Sequence, residues 1–298
     1  AVSALGGKQL QQFAAGWRGL SAARRLRILT EMGELADSHV EFNYHAIARA
    51  VLEDEDDEVR AAAIHTLWED QKADLIAPFV KALTKDKSAL VRAAAASALG
   101  IYVYQGETEE LPSAQAKAVE DILLKVFGGA DAVEVRRRAL ESVSFSGRSE
   151  VTAAIDAAYE SGPELMRISA LYAMGRSLDA ERWGPTILDE LTGGTPKLRY
   201  EAARAAGELQ LEEALPPLGD LLDDDDREVQ EAGIRALGEL GGREAERLLE
   251  RRLETADEEL AELIEDALAE AEFMDGMSFV GMVDVGDDED DEEVSRLN

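Results

Sequence analysis

One amino-acid pattern recurs along most of this 298-residue chain, and it constrains the fold more than any other feature. The clear copies read VRAAAIHTLW, VRAAAASALG, VRRRALESVS, MRISALYAMG, LRYEAARAAG and VQEAGIRALG. They begin at Val59, Val91, Val135, Met166, Leu198 and Val229, and a weaker copy, LAELIEDALA, begins at Leu260. Successive copies start 32, 44, 31, 32, 31 and 31 residues apart. A period of this length predicts a stack of similar supersecondary units.

Each copy has the apolar spacing of an α-helix. If its first residue is position 0, then positions 0, +4, +5 and +8 are mostly apolar or alanine, which places them on one helical face. A preceding helix is indicated by Pro78, Pro185 and Pro216, which each lie 13 residues before the start of a copy. Proline is tolerated in the first turn of a helix or at a bend. The sequence therefore predicts an all-α fold in which every repeat is a helical hairpin and the copy is its second helix.

The best preserved copy, Val91–Gly100, reads V-R-x-x-A-x-x-A-L-G. This motif resembles the short HEAT-like repeats of the phycobilin lyase family and of many bacterial scaffold proteins. The resemblance implies an α-solenoid of about eight short hairpins in a right-handed superhelix, with the second helices on its concave side. We expect the solenoid to span residues 1–272. Its first hairpin has a second helix from Ala23 that aligns Met32–Gly33 with Leu99–Gly100.

Two segments depart from the repeat. The 44-residue spacing marks an insertion within residues 101–115, and we expect the helix before it to reach Tyr104 and a loop to follow to Pro112. Such a loop either carries binding contacts or is a neutral variation in length. Residues 273–298 hold an apolar stretch and then the acidic block Asp287–Glu293. We expect this tail to be partly disordered, and its apolar stretch either covers the last repeat or binds a partner.

Charge and composition exclude several functions. The formal net charge is −32, and residues 201–298 alone hold 8 basic and 33 acidic side chains. Binding to nucleic acid or to an anionic membrane is disfavoured, because both depend on Lys and Arg. Without cysteine, thiol catalysis and Cys-ligated zinc are excluded. The chain shows neither a long apolar run nor the start of a signal peptide, so we expect a soluble, cytoplasmic protein.

The second helices carry arginine at position +1 in five copies. These residues are Arg60, Arg92, Arg136, Arg167 and Arg199. The turn before each helix often holds a carboxylate, namely Asp57, Asp86, Asp131 or Glu164. Such an arginine can bridge to the turn of the neighbouring repeat through two hydrogen bonds. We predict an inter-repeat ladder of this kind, with ligand binding as the alternative.

The surface of the middle second helices gives the candidate binding site. Positions +2, +3, +6 and +10 should face the groove or its rims, and they hold tyrosine and arginine, which are enriched in interface hot spots. The predicted partner-binding residues are Arg137, Arg138, Tyr172, Arg176, Tyr200 and Arg204. We therefore expect a non-catalytic scaffold or adaptor that needs no cofactor or metal and binds a protein. It would be a monomer or part of a hetero-complex, and a basic partner would complement its acidic end.

Two other functions stay open. A subunit like those of the phycobilin lyases would use Arg138, Arg176 and Glu201 to hold a bilin. Alternatively, the acidic end mimics nucleic acid and binds a basic protein. The resemblance to helical-repeat deoxyhypusine hydroxylases fails, because those enzymes bind two irons through His-Glu dipeptides and none of His39, His45 and His65 is followed by Glu.

Overall fold

The structure is a computed structural model that describes residues 7–39 and 42–283. Helices are the only regular secondary structure in those ranges. The chain divides into two compact units, unit 1 from Ala1 to Ala173 and unit 2 from Met174 to Asn298. The division falls inside one helix, and each unit is described by itself below.

Unit 1 holds four complete hairpins and most of a fifth. Its helices are α1 (Gly7–Trp17), α2 (Ala22–Ser38), α3 (His45–Ala50), α4 (Asp57–His65), α5 (Ile76–Lys85), α6 (Ala89–Glu107), α7 (Ser113–Phe127), α8 (Val133–Val143), α9 (Ser149–Ser161) and α10 (Glu164–Arg176). Even-numbered helices are the second helices of the hairpins, and α2, α4, α6 and α8 pack side by side. Their position-0 residues Val59, Val91 and Val135 are fully buried, as the apolar spacing predicts.

Unit 2 contains the last turn of α10 and three complete hairpins. Its further helices are α11 (Ala180–Gly193), α12 (Pro196–Glu208), α13 (Leu215–Leu221), α14 (Arg227–Leu240), α15 (Gly242–Leu253) and α16 (Glu258–Val283). Helices α12, α14 and α16 pack against one another in order, and each also packs against the first helix of its own hairpin. The described residues thus form eight helical hairpins, which confirms the predicted HEAT-like α-solenoid architecture within each unit.

Small residues set the distance between successive second helices. Position +9 is glycine in four repeats, and each glycine faces position +7 of the next second helix. A Cβ atom added at these glycines would lie 3.0 to 3.3 Å from the facing Cα atom. The four pairs are Gly100 with Ser142, Gly175 with Ala205, Gly207 with Ala236 and Gly238 with Ala267. The helices therefore cross too closely at this point to leave room for any side chain at position +9.

The arginine ladder is confirmed for three of the predicted residues. Both Nε and Nη2 of Arg60 donate to the carboxylate of Asp86 at 2.8 Å. Arg92 forms the same pair with Asp131 at 2.9 and 2.6 Å, and Arg199 with Asp224 at 2.8 Å. The Nη1 atom of each arginine donates to backbone carbonyls in the turn before its own helix. Each ladder arginine therefore ties its own turn to the turn of the next repeat.

Other residues extend or modify this ladder. Arg25, which the N-terminal register places at position +1, donates to Asp54 at 3.0 Å and continues the ladder toward the N-terminus. Arg136 departs from the prediction, because its Nε donates to the carbonyl oxygen of Phe127 and its guanidinium lies over the Phe127 ring. Gln230 occupies position +1 of α14, and Arg227 three residues earlier forms the two-bond pair with Asp257 instead.

The two irregular segments are also partly helical. Helix α6 runs to Glu107, one turn beyond the predicted Tyr104, and the loop that follows ends at Pro112, as expected. Helix α16 continues to Val283, so the predicted boundary at 272 falls within a helix. The acidic block at 287–293 and its expected disorder lie outside the described residues.

Replacement of Gly238 by Ala should destabilise the protein, because the new Cβ would lie 3.0 Å from the Cα, Cβ and O atoms of Ala267. We expect a loss of about 1–3 kcal/mol in the free energy of unfolding, the range for overpacking. Gly33 is the matched control, since it aligns with Gly100 but has no atom within 4 Å of an added Cβ. Gly33→Ala should stabilise by about 0.5–1 kcal/mol through helix propensity. Chemical denaturation of both variants measures the difference, and a neutral Gly238→Ala would contradict the close crossing.

Removal of the Asp224 carboxylate should cost about 1.5–3 kcal/mol at pH 7, because it accepts two charge-assisted hydrogen bonds from Arg199. Those hydrogen bonds hold the pKa of Asp224 below its usual value of 3.8. A depressed pKa in the folded state means that this stabilisation is present above the unfolded-state pKa and disappears as the pH falls through the folded one. Urea unfolding of wild type and Asp224→Asn should therefore show a difference at pH 7 that shrinks below pH 4. A difference independent of pH would contradict the ion-pair assignment.

Candidate functional site

The six predicted partner-binding residues all lie on second helices, at the expected repeat positions. Arg137 and Arg138 are on α8 and Tyr172 is on α10, within unit 1. Arg176 at the end of α10, and Tyr200 and Arg204 on α12, belong to unit 2. All six side chains are partly buried. We call the surface at positions +2, +3, +6 and +10 of the second helices the second-helix face.

Arg137 and Arg138, the two predicted partner-binding residues of α8, are paired with carboxylates of the same helix. Arg138 pairs with Glu134 at 2.8 Å and with Glu141 at 2.7 Å. Arg137 pairs with Glu134 at 3.0 Å, and its Nε donates to the hydroxyl oxygen of Ser169 at 2.8 Å. Burial acts to lower the pKa of Arg138, but the charges of Glu141 and Glu134 outweigh it and raise the pKa. These two predicted partner-binding residues of α8 are therefore part of an ionic cluster with Glu134 and Glu141.

The arginines of unit 2 are arranged in the same way. Arg204 donates to Glu201 at 2.8 Å and to Glu208 at 2.6 Å, its neighbours at i−3 and i+4 on α12. Arg176 reaches the same Glu208 carboxylate, with its Nε 3.4 Å from Oε1. Two guanidinium groups thus share one carboxylate on this part of the second-helix face.

A row of carboxylates at position +10 was not predicted. Glu208, Glu239 and Glu270 lie 31 residues apart, at the same position of three successive repeats. Burial, with the nearby charges of Glu270 and Glu208, raises the pKa of Glu239, although Arg204 and Arg176 act to lower it. Its Oε2 atom is buried against Gly207, and among the described residues it has no hydrogen-bond donor. The repeat register alone would have revealed this row.

The row borders a pocket of about 170 Å³ between α12 and α14. Its polar lining comes from Tyr200, Arg204, Glu208, Arg235 and Glu239, and Ala232 and Ala236 complete its wall. A phenol, two guanidinium groups and two carboxylates can bind a small cationic or amide group by hydrogen bonds. Sequence reasoning identified Tyr200 and Arg204 here and missed the two carboxylates.

The histidines and acidic groups of the described chain do not assemble a metal site. In residues 7–39 and 42–283, no group of three His, Asp or Glu side chains is placed to hold a metal ion. His45 lies near Asn43 and Asp70, with its Nδ1 3.2 Å from the Asn43 amide nitrogen and 3.8 Å from the carboxylate. None of the described helices combines the length and the hydropathy that crossing a membrane requires.

Solved structures with similar architecture are distant in sequence. The E. coli protein YibA is 15% identical, with a TM-score of 0.46 over 91% of this chain and 99% of its own. Human deoxyhypusine hydroxylase, in complex with glycerol, is 19% identical, with a TM-score of 0.39 over 89% and 96%. The CpcE–CpcF complex of phycocyanin lyase from Nostoc sp. is 18% identical, with a TM-score of 0.47 over 76% and 94%. At these values the similarities carry no statement about function.

Comparison with known sequences identifies the repeat itself. No curated protein matches the chain significantly. The family model of HEAT repeats matches residues 46–115 and 184–269, which together make up more than half of the sequence. Those ranges include the motif Val91–Gly100 and the pocket between α12 and α14. The chain therefore belongs to the family of HEAT-repeat proteins.

Proposed function

We propose that this protein is a non-catalytic scaffold or adaptor that binds a protein partner on its second-helix face, which the repeat class places on the concave side. Stacked helical repeats present extended surfaces of this kind and often use them for protein binding. The family assignment supports the general function, and the arrangement of side chains on α12 and α14 supports the location.

The pocket between α12 and α14 is the observation that carries the proposal. Tyr200 and Arg204 belong to the residue types that dominate interface energetics, and both line it. Glu239 places a desolvated carboxylate beside them, with its pKa raised by burial and by its acidic neighbours. A positive charge on the partner would stabilise this carboxylate, because it would offset the cost of desolvation that the free protein leaves uncompensated.

The partner side chain at this pocket is therefore basic. The arginines of the second-helix face already pair with Glu134, Glu141, Glu201 and Glu208, and Arg235 lies 3.6 Å from Glu231. Because those arginines are paired with carboxylates, the Glu239 carboxylate makes the net charge at the pocket negative. Phosphate groups would be repelled here, which supports a protein partner over nucleic acid.

The chemistry of this face favours binding over catalysis. The titratable groups that line the pocket are arginines, carboxylates and one phenol, and the strongest contacts among them are arginine–carboxylate pairs. An arginine stays protonated near neutral pH and does not act as a general base. Such pairs fix side-chain geometry, which suits a preformed recognition surface.

Glu239→Gln should change stability and partner binding in opposite directions. A carboxyl group with a raised pKa in the folded state destabilises the protein once the pH exceeds that pKa, and this penalty is absent at low pH. The glutamine variant should therefore have a higher Tm at pH 7 and an unchanged Tm below pH 4. Its affinity for the partner should fall about tenfold, which corresponds to about 1.4 kcal/mol. Thermal unfolding and calorimetric titration measure the two quantities.

The partner for this test is a protein recovered on the immobilised full chain and then purified. Tyr200→Ala should also weaken its binding, and Glu250→Gln, on the exposed side of α15, is the control that should not. Equal affinities of wild type, Glu239→Gln and Tyr200→Ala would place the interface elsewhere. Recovery of a coloured small molecule in place of a protein would overturn the scaffold function.

A further inference from the structure

The insertion in unit 1 builds a second exposed surface at the C-terminal ends of α4, α6 and α8. Helix α6 has 19 residues, whereas α8 has 11, and the excess lies at the C-terminal end of α6. Tyr104 lies in this extension, beside the turns that follow the neighbouring second helices. The lengthened helix therefore creates an edge that the regular repeats lack.

Two aromatic side chains meet beside the extended end of α6, and a third lies in the turn after α4 that α6 contacts. Trp68, in the turn after α4, is 57% exposed, and Tyr104 is 45% exposed. Phe145, after α8, is partly exposed and contacts Tyr104 edge-on, with ring centroids 5.6 Å apart. The other two tryptophans, Trp17 and Trp183, are each only 4% exposed. We call Trp68, Tyr104 and Phe145 the aromatic edge.

Hydrogen bonds join the three elements that carry these rings. The buried Tyr102 hydroxyl donates to the carbonyl oxygen of Lys72 at 3.0 Å, and the Gln105 amide donates to the side chain of Gln71 at 3.3 Å. On the other side, the backbone N–H of Gly147 donates to the Glu107 carboxylate at 3.4 Å. The turn after α4 and the turn after α8 are both tied to α6, so the aromatic edge is preformed.

A backbone hydrogen bond also fixes the loop after α6. Glu109 adopts a left-handed conformation with φ of 61°, and the Leu111 N–H donates to the carbonyl oxygen of Gln105 at 2.9 Å. This closure ends the helix, and Leu111 is buried beneath it. It leaves the side chains of Glu109 and Glu110 exposed beside the end of α6.

Exposed carboxylates lie around the aromatic edge and outnumber the nearby cations Lys72 and Arg148. Glu69, Glu107, Glu109 and Glu110 are all exposed. Lys72 lies 3.7 Å from the buried Asp70 carboxylate. Arg148 contacts three carboxylates, those of Glu120, Asp121 and Glu150, at 2.8 to 3.2 Å.

Exposed aromatic rings surrounded by negative charge are complementary to a cation, because the face of an aromatic ring attracts positive charge.

We infer that the aromatic edge is a docking surface for an arginine-bearing, extended segment of a partner protein. Arginine fits better than lysine, because the planar guanidinium group can stack on a ring and pair with a carboxylate at once. The inference shares the scaffold function proposed above but uses a different surface in a different unit. Either interface can therefore fail alone.

The test uses the full chain and an acetylated, amidated peptide of alternating glycine and arginine. Because Trp68 is the exposed tryptophan, the peptide should protect it from acrylamide quenching of the fluorescence. Calorimetric titration should show that Trp68→Ala and Tyr104→Ala each weaken binding about fivefold to tenfold. Both side chains are largely exposed, so the variants should keep the Tm of wild type within a few degrees.

Four comparisons distinguish binding at the aromatic edge from binding elsewhere on the chain. Leu178→Ala, at a side chain that is 78% exposed, and Tyr200→Ala in the unit 2 pocket should leave the protection of Trp68 by the peptide unchanged. The glycine–lysine peptide should bind more weakly and a glycine–glutamate peptide not at all. Unchanged affinity in Trp68→Ala, or loss of the Trp68 protection in Tyr200→Ala, would overturn the inference. So would protection of Trp68 that depends on protein concentration without peptide, since that result identifies a second copy of the chain as the occupant.

Discussion

The close crossing of successive second helices is the constraint on which the rest of each unit depends. A glycine at position +9 meets an alanine or serine at position +7 of the next helix, where an added Cβ would lie 3.0 to 3.3 Å from the facing backbone. Where this contact is present, as at Gly100 and Gly207, the turns of neighbouring repeats lie within reach of one arginine side chain, Arg92 or Arg199. It also seats the position +10 carboxylates of Glu208 and Glu239 over Gly175 and Gly207. The close packing and the acidic row are therefore consequences of one helix spacing, and the ladder pairs of Arg92 and Arg199 accompany it.

Ion pairs between repeats and within helices determine the charge that a partner meets. The ladder arginines pair with aspartates of the next repeat. On the second-helix face, Arg137, Arg138 and Arg204 pair with glutamates three or four residues away. Most of these arginines are thus paired with carboxylates of the same chain, and the surplus carboxylates are left to face a partner. The two proposed surfaces, the unit 2 pocket and the aromatic edge of unit 1, both follow from this surplus and both favour basic partners.

The fold could be predicted from the sequence because the same apolar, proline and arginine positions recur in successive repeats. The hairpins, the proline positions and the pairs of Arg60, Arg92 and Arg199 all follow from that period. Arg25 was missed although the alignment of Met32–Gly33 placed it at position +1. Arg227 could not be found in this way, because it reaches Asp257 from three residues before that position.

The candidate site was harder to predict, because its chemistry depends on pairing. The sequence predicted a binding patch of tyrosine and arginine but not the pairing of Arg137, Arg138 and Arg204 with carboxylates at i±3 and i±4, a spacing that the sequence already displayed. The aromatic edge depends on how far α6 extends and on which turns it contacts. Those contacts join residues more than 30 positions apart, such as Gln71 with Gln105, and no local pattern encodes them.

The most direct test of the account is hydrogen–deuterium exchange of the full chain, alone and with its purified protein partner. The second helices carry the proposed interface, so added protection should concentrate in α12 and α14 and should be small in the first helices α13 and α15. Exchange in the free protein should be slowest at the glycine crossings, where the second helices are packed most closely. Protection confined to the first helices would contradict the account, because it would place the partner on the opposite face of the hairpins.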